Sequence, residues 1–559
     1  MENLQKVTFS KTALFQSIKH KSLSLLFCLF TLFGFSQAPA FTRQDTLRGS
    51  ITPQRSWWDL QYYDLHVDVS LEDSTVSGNN TIRYKVLSKN QVMQIDLQHP
   101  MKITRILQDG REIRFTTEGN AHFIRLKKQQ REGAVNELTV YFQGKPHVST
   151  NPPWSGGFTW QQDDNGDPFI ATTCQGIGAS LWWPCKDHPY DEPDSMQINV
   201  SIPSLPGLMA VSNGRLEHVM AESTGKKTFV WKVRNPINNY AVNVNIGHYV
   251  SFSEVYQGEK GPLDCTYYVL GNHIQQARGQ FRQVPEMLEA FEHWFGPYPF
   301  YEDGYKLVEV PYLGMEHQSS VTYGNNFKNG YNRKGNQVDL SNTGWGFNFD
   351  FIIIHESGHE WFANNITDKD VADMWIHESF TSYAENLFLD YHYGKQASAD
   401  YVIGTRENIR NDRPLVGIYN VNYEGSGDMY YKGANMLHTL RQLVDDDEKW
   451  RMILRKMNQA FYHQTVTSTQ VEDFLSAETG IALKPFFDQY LRDTRIPVFE
   501  YHIENGKLRY RWTNCTENFD MKLKITHTKT TWIHPKTTWQ EIPFSEKKLS
   551  PDRNFYTIP

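Results

Sequence analysis

Two histidines four residues apart, the first followed directly by a glutamate, constrain this chain more than any other feature. His355-Glu356-Ser357-Gly358-His359 can bring both imidazoles to one ion only if the segment is helical, because residues i and i+4 then share a face. Glu378 follows after eighteen intervening residues. His355, His359 and Glu378 make three protein ligands for a tetrahedral zinc and leave its fourth position open, the form of a catalytic rather than a structural site. The same pattern also arises by chance on amphipathic helices, where the histidines are ordinary half-buried residues. The surroundings favour the metal. Phe351, Ile352, Ile353 and Ile354 run apolar into the motif and Trp361 and Phe362 follow it, which suits a helix buried in a core with its histidines meeting a cavity.

A second helix is expected from Asp373 to Tyr393. Phe380, Ala384, Leu387, Phe388 and Tyr391 mark an apolar stripe, Gly394 is a natural stop, and Glu378 lies early enough to reach back to the first helix. Glu385 lies near the same face. It reads either as a partner orienting a ligand histidine from behind or as a solvated helix glutamate.

Three further segments carry a resemblance. Gly314-Met315-Glu316-His317, the pair Cys174-Gln175 with Pro184-Cys185-Lys186-Asp187-His188-Pro189, and Tyr430-Tyr431-Lys432-Gly433 stand in order around the zinc motif. With them the chain resembles the gluzincin zinc aminopeptidases, the family of aminopeptidase N and leukotriene hydrolase. The resemblance implies one zinc per chain and a peptide substrate with a free amino terminus. Glu316 and Gln175 would bind that amine, Gly314 and Met315 would line the substrate, and Tyr430 would stabilise the oxyanion. Glu356 would take a proton from the zinc-bound water and return it to the leaving amine. The chain departs from the family pattern at Leu313, His317, Ser180, His377 and Ser379. His377 reads as a surface histidine or one behind the ligands, since its neighbour Glu378 already faces the site. Three alternatives remain open here: a thermolysin-like endopeptidase using the same ligands, a lipid-epoxide hydrolase, and a non-catalytic binding protein.

At 559 residues the chain is too long for one core. The fold expected is multidomain α+β. Residues 39–249 form an amino-terminal antiparallel β domain, in which Tyr63, Leu65, Val67, Val69 and Leu71 alternate with polar residues and Ser77-Gly78-Asn79-Asn80 separates them from a stretch around Ile82. Residues 250–495 form a thermolysin-like, mainly helical catalytic domain, with helices from Pro285 to Phe295 and from near Lys432. Residues 496–559 form a small β-sandwich with a hairpin at Asn505-Gly506. Longer relatives follow this point with a helical roof, so an open groove is expected. A net charge of −7 offers no patch for nucleic acid. Residues 1–38 read as an export signal: Lys6, Lys11, Lys19 and Lys21 precede an apolar run from Leu23 to Phe35, too short for a comfortable membrane span. The mature protein is then periplasmic or secreted, without a transmembrane span, and an oligomer is possible. Cys28 leaves with the signal, and the resemblance implies buried free thiols at Cys174 and Cys185.

Overall fold

The alternating stretch around Tyr63 is a strand, Trp58–Ser70, in the computed structural model, which describes residues 40–558. The segment read as an export signal lies outside the described residues. Tyr63, Leu65, Val67 and Val69 are buried and His66 faces solvent, as a half-buried strand requires. Its antiparallel partner is Thr75–Val86, with Val67 opposite Gly78. The Ser77–Asn80 segment is therefore inside a strand, and the turn falls at Leu71–Ser74. Gly78 marks a close backbone approach instead of a turn: a Cβ there would stand 1.8 Å from the His66 carbonyl oxygen.

These strands belong to an eight-stranded sheet. One pairing in it departs from the antiparallel expectation, since Trp58–Ser70 runs parallel to Ser195–Pro203. The long connection from Ser70 to Ser195, which passes through nine other strands, makes that crossover possible, whereas a tight hairpin would not. A four-stranded sheet includes Pro168–Thr173, and its last strand residue leads directly into Cys174-Gln175.

The chain then turns helical. Gln283–Phe295, Phe351–Gly358, Trp375–Tyr393 and Tyr431–Val444 are the helices that build the site. They pack with a five-stranded sheet that contains Tyr305–Glu309, Val321–Tyr323 and the short strand Gly314–Met315. Trp375–Tyr393 is buried on every side from Trp375 to Leu389, so its apolar stripe understates its position: it is the central helix of this region, and polar residues on it such as Ser379 and Glu385 meet partners on neighbouring elements instead of water. Tyr391 is the exposed end of that helix.

The last region returns to strands. Val498–Glu504 pairs with Lys507–Thr513 across Asn505 and Gly506, whose φ angles are +52° and +72°, the left-handed pair that a two-residue hairpin needs. Two three-stranded sheets result; Phe499 and Trp512 of the first pack together, and Trp512 meets Phe519 in the loop that leads to the second. From Phe41 onward the three regions form one compact unit. Cys174, Cys185 and Cys265 are buried free thiols and Cys515 is a half-buried one. No helix among the described residues is long and apolar enough to cross a membrane.

Candidate active site

The motif helix starts where Asp350 caps it. The Asp350 carboxylate accepts from the Ile352 amide at 3.1 Å and is itself held by Tyr323 Oη at 2.7 Å and Asn325 Nδ2 at 2.8 Å, satisfying donors that a helix start leaves free. The helix ends at Gly358, so His359 is its cap residue and not an interior position. Both rings still converge, their centroids 5.0 Å apart. Gly358 lets this happen: a Cβ there would come within 3.1 Å of Thr381 on the helix that carries Glu378.

Glu378 Oε2 lies 3.7 Å from His355 Nε2 and 3.4 Å from His359 Nε2. Ligands about 2.1 Å from a tetrahedral zinc stand roughly 3.4 Å apart, so the spacing fits. The chemistry fits as well. Glu378 Oε2 is buried and has no hydrogen-bond partner, an arrangement that costs free energy unless a cation faces it. Against the burial that opposes it, His359 and His355 hold the Glu378 carboxyl well below the usual carboxylate range.

The other nitrogen of each ligand histidine is occupied. His355 Nδ1 meets Glu385 Oε1 at 2.7 Å, and Tyr401 Oη donates to Glu385 Oε2 at 2.6 Å. Glu385 is thus buried behind the ligand, not solvated. His359 Nδ1 faces the Phe362 carbonyl and Thr381 Oγ1, each at 3.0 Å. These contacts fix the rings and leave each Nε2 for metal. Tyr401 and Thr381 carry no sequence signal of their own, and the Phe362 contact is backbone, which no motif could reveal.

Glu356, beside the first ligand, is 8% exposed. Burial pushes its carboxyl up to about 7; the His355 and His359 imidazoles pull it down while Glu316 and Glu378 push it further up. Tyr430 stacks over His355 at 5.9 Å. Burial, reinforced by Glu378 and Glu316, raises its hydroxyl well above the ordinary tyrosine value and keeps it a donor. A close helix crossing sets its position. Ser379 Oγ donates to the Met429 carbonyl at 2.7 Å, and a Cβ on Gly433 would stand 1.9 Å from Ser379 Oγ.

Glu316 arrives on the strand Gly314–Met315. A Cβ on Gly314 would lie 2.6 Å from Ile352 Cγ2, so glycine lets the strand rest on the motif helix. Gln175 Nε2 donates to Glu316 Oε1 at 2.6 Å and to Glu378 Oε1 at 3.1 Å. Asn364 Nδ2 anchors the Glu316 carbonyl at 2.8 Å. Met315 packs with Val310, Tyr312 and Ala171. His317 is buried, and burial pulls its imidazole down to about 3, so it is neutral. His377 is also buried, not at the surface: its Nε2 accepts from the Asp368 amide at 2.7 Å. Gln175, Gly314, Met315, Glu316, Glu356 and Tyr430 line one cavity of about 1640 Å³ together with the three ligands.

A helix-borne pair of histidines, a glutamate from the next helix and a β region closing over them define the metallopeptidases of the gluzincin type. Residues 60–241 match the Peptidase M1 N-terminal domain and residues 280–490 the Peptidase family M1 domain; this chain belongs to peptidase family M1. It is 21% identical over 76% of its length to a probable aminopeptidase 1 of Saccharolobus solfataricus, covering 52% of that protein. It is 20% identical over 75% of its length to the leukotriene A-4 hydrolase of Xenopus laevis, covering 68% of it. The crystal structure of an M1 zinc metallopeptidase from Deinococcus radiodurans shares the fold, with a TM-score of 0.66 at 22% identity, over 79% of this chain and 95% of that one. The chain thus spans between about half and two thirds of these curated relatives.

Proposed function

We propose that this protein is a zinc-dependent aminopeptidase that removes the first residue of peptides, with one zinc per chain. The observation that carries the reading is the Gln175–Glu316 contact beside the ligand Glu378. It closes one end of the cavity with a buried carboxylate, which suits a protonated amino terminus and offers an internal peptide bond nothing to pair with. Zinc held by His355, His359 and Glu378 supplies Lewis acidity, lowering the pKa of water and polarising a carbonyl.

The chain's own residues do the rest. Glu316 accepts from the α-ammonium, and Gln175 Oε1 offers a second acceptor, which sets the distance from that amine to the scissile bond. Glu356, with its carboxyl near 7, takes a proton from the attacking water at its carboxylate oxygen and delivers it to the leaving nitrogen. Tyr430 donates its hydroxyl to the carbonyl oxygen as charge develops there. A mutant of the Deinococcus metallopeptidase has been crystallised bound to a Tyr-Ser-Ala substrate, a peptide of the kind this reading calls for. We also propose that the protein is exported, on the basic and apolar character of residues 1–38.

The test is a panel of aminoacyl and peptide reporters, each free and amino-acetylated, with and without a chelator. Cleavage of the free set alone, lost on chelation and restored by zinc, is expected. Equal internal cleavage of acetylated peptides would replace this reading with an endopeptidase.

A further inference from the structure

One acidic side chain in the cavity has no part in the reaction above. Glu424 lines the cavity and is exposed to it, six residues before Tyr430. Among the described residues its carboxylate makes no hydrogen bond and no ion pair. The loop cation Arg413 donates to the Gly425 carbonyl at 2.8 Å and to Tyr423 Oη at 3.0 Å; it acts on Glu424 through its charge, opposing Glu378, and makes no hydrogen bond to it.

The loop that carries Glu424 is fixed in place. Gly425 lies flat against Leu415, where a Cβ would come 1.7 Å from the Leu415 carbonyl oxygen. Asn422 Nδ2 donates to the Gly176 carbonyl at 3.0 Å and ties the loop to the β domain. As a result Glu424 Oε2 stands 4.0 Å from the position a Cβ would take on Gly176, the residue next to the amine-binding Gln175. A substrate's first side chain leaves the same carbon as its amine, so it must enter the space beside this anchor. Val371 and Met374 line the same cavity as Gln175, Gly176 and Glu424 and give it an apolar wall. Apolar wall and acidic end match a long side chain with a methylene stem and a cationic tip. A carboxylate without a partner, in a cavity that already holds Glu316, Glu356 and Glu378, adds repulsion that such a cation would relieve.

We infer that Glu424 forms the acidic end of the subsite for the first side chain, and that the enzyme prefers peptides beginning with lysine or arginine. The inference rests on the aminopeptidase reading. It is tested by comparing kcat/KM for lysyl against norleucyl reporters and arginyl against citrullyl ones, pairs that share the carbon stem and differ in charge. The wild-type protein is expected to favour the charged member by roughly tenfold. Glu424→Gln should bring both ratios close to one, and Glu424→Lys should turn preference toward a glutamyl reporter. A wild-type ratio near one overturns the inference, as does a Glu424→Gln loss that is equal on all reporters, which would assign Glu424 to the common amine instead. Failure of the parent reading looks different: acetylated lysyl peptides would then be cut as fast as free ones.

Discussion

The proposed metal end and the proposed amine end of the cavity are built in different ways. At the metal end, the three proposed ligands and the Glu385 behind one of them lie on two successive helices and the cap of the first, within 31 residues of chain, 355–385. At the amine end, Gln175 meets Glu316 across a sequence separation of 141 residues, one from a β domain and the other from a strand laid on the motif helix. Helical periodicity and the packing of two neighbouring helices, close enough for Gly358 to rest on Thr381, gather the first group. The second exists only once two regions have docked, so changes to it should alter which substrate is taken while zinc stays bound.

The largest effect is expected from His359→Ala, which should abolish zinc binding and activity together, read by metal analysis, while the β domain stays folded. Stoichiometric zinc in that variant would break the comparison at its metal end. Next, Glu356→Gln should keep zinc and lose about 10² to 10⁴ in kcat with KM little changed. Tyr430→Phe should lose about 10² to 10³ in kcat, and a rise in KM alone would make either one a binding residue.

Behind the ligands, Glu385→Gln should weaken zinc affinity by about 10- to 100-fold in chelator competition, since His355 loses its charged partner. At the amine end, Glu316→Ala should narrow the rate gap between free and acetylated peptides by about tenfold or more at unchanged zinc content; an unchanged gap would move the anchor elsewhere. Smallest is Gly433→Ala. The new methyl would strike Ser379, at a cost of about 1–3 kcal/mol in unfolding free energy, and Ser379→Gly in the same chain should recover part of it. No recovery would mean that the helix crossing is not what fixes Tyr430.

Much of the metal end is legible in the chain alone. The spacing of His355, His359 and Glu378 encodes a shared face, and Asn505-Gly506 encodes a hairpin, because both depend on local backbone geometry. Sequence patterns mislead where a residue's meaning depends on a distant neighbour. Gly78 reads as a turn and is a close approach to His66. His377 reads as a surface histidine or one behind the ligands, and it is buried and sealed against the Asp368 amide. Glu385 fits two roles in the sequence, and only Tyr401 and His355 on either side of it decide between them.

The sequence by itself determined the proposed ligand set, the proposed base beside it and the order of β, helical and β regions, since helix and strand periods and the chemistry of a metal-binding pair are properties of short segments. Only the tertiary structure decided the bare Glu378 oxygen, the Gln175–Glu316 contact and the placing of Glu424 beside Gly176. Each of these is set by segments far apart in the chain, when buried apolar faces pack and fix which trapped polar groups find partners and which do not.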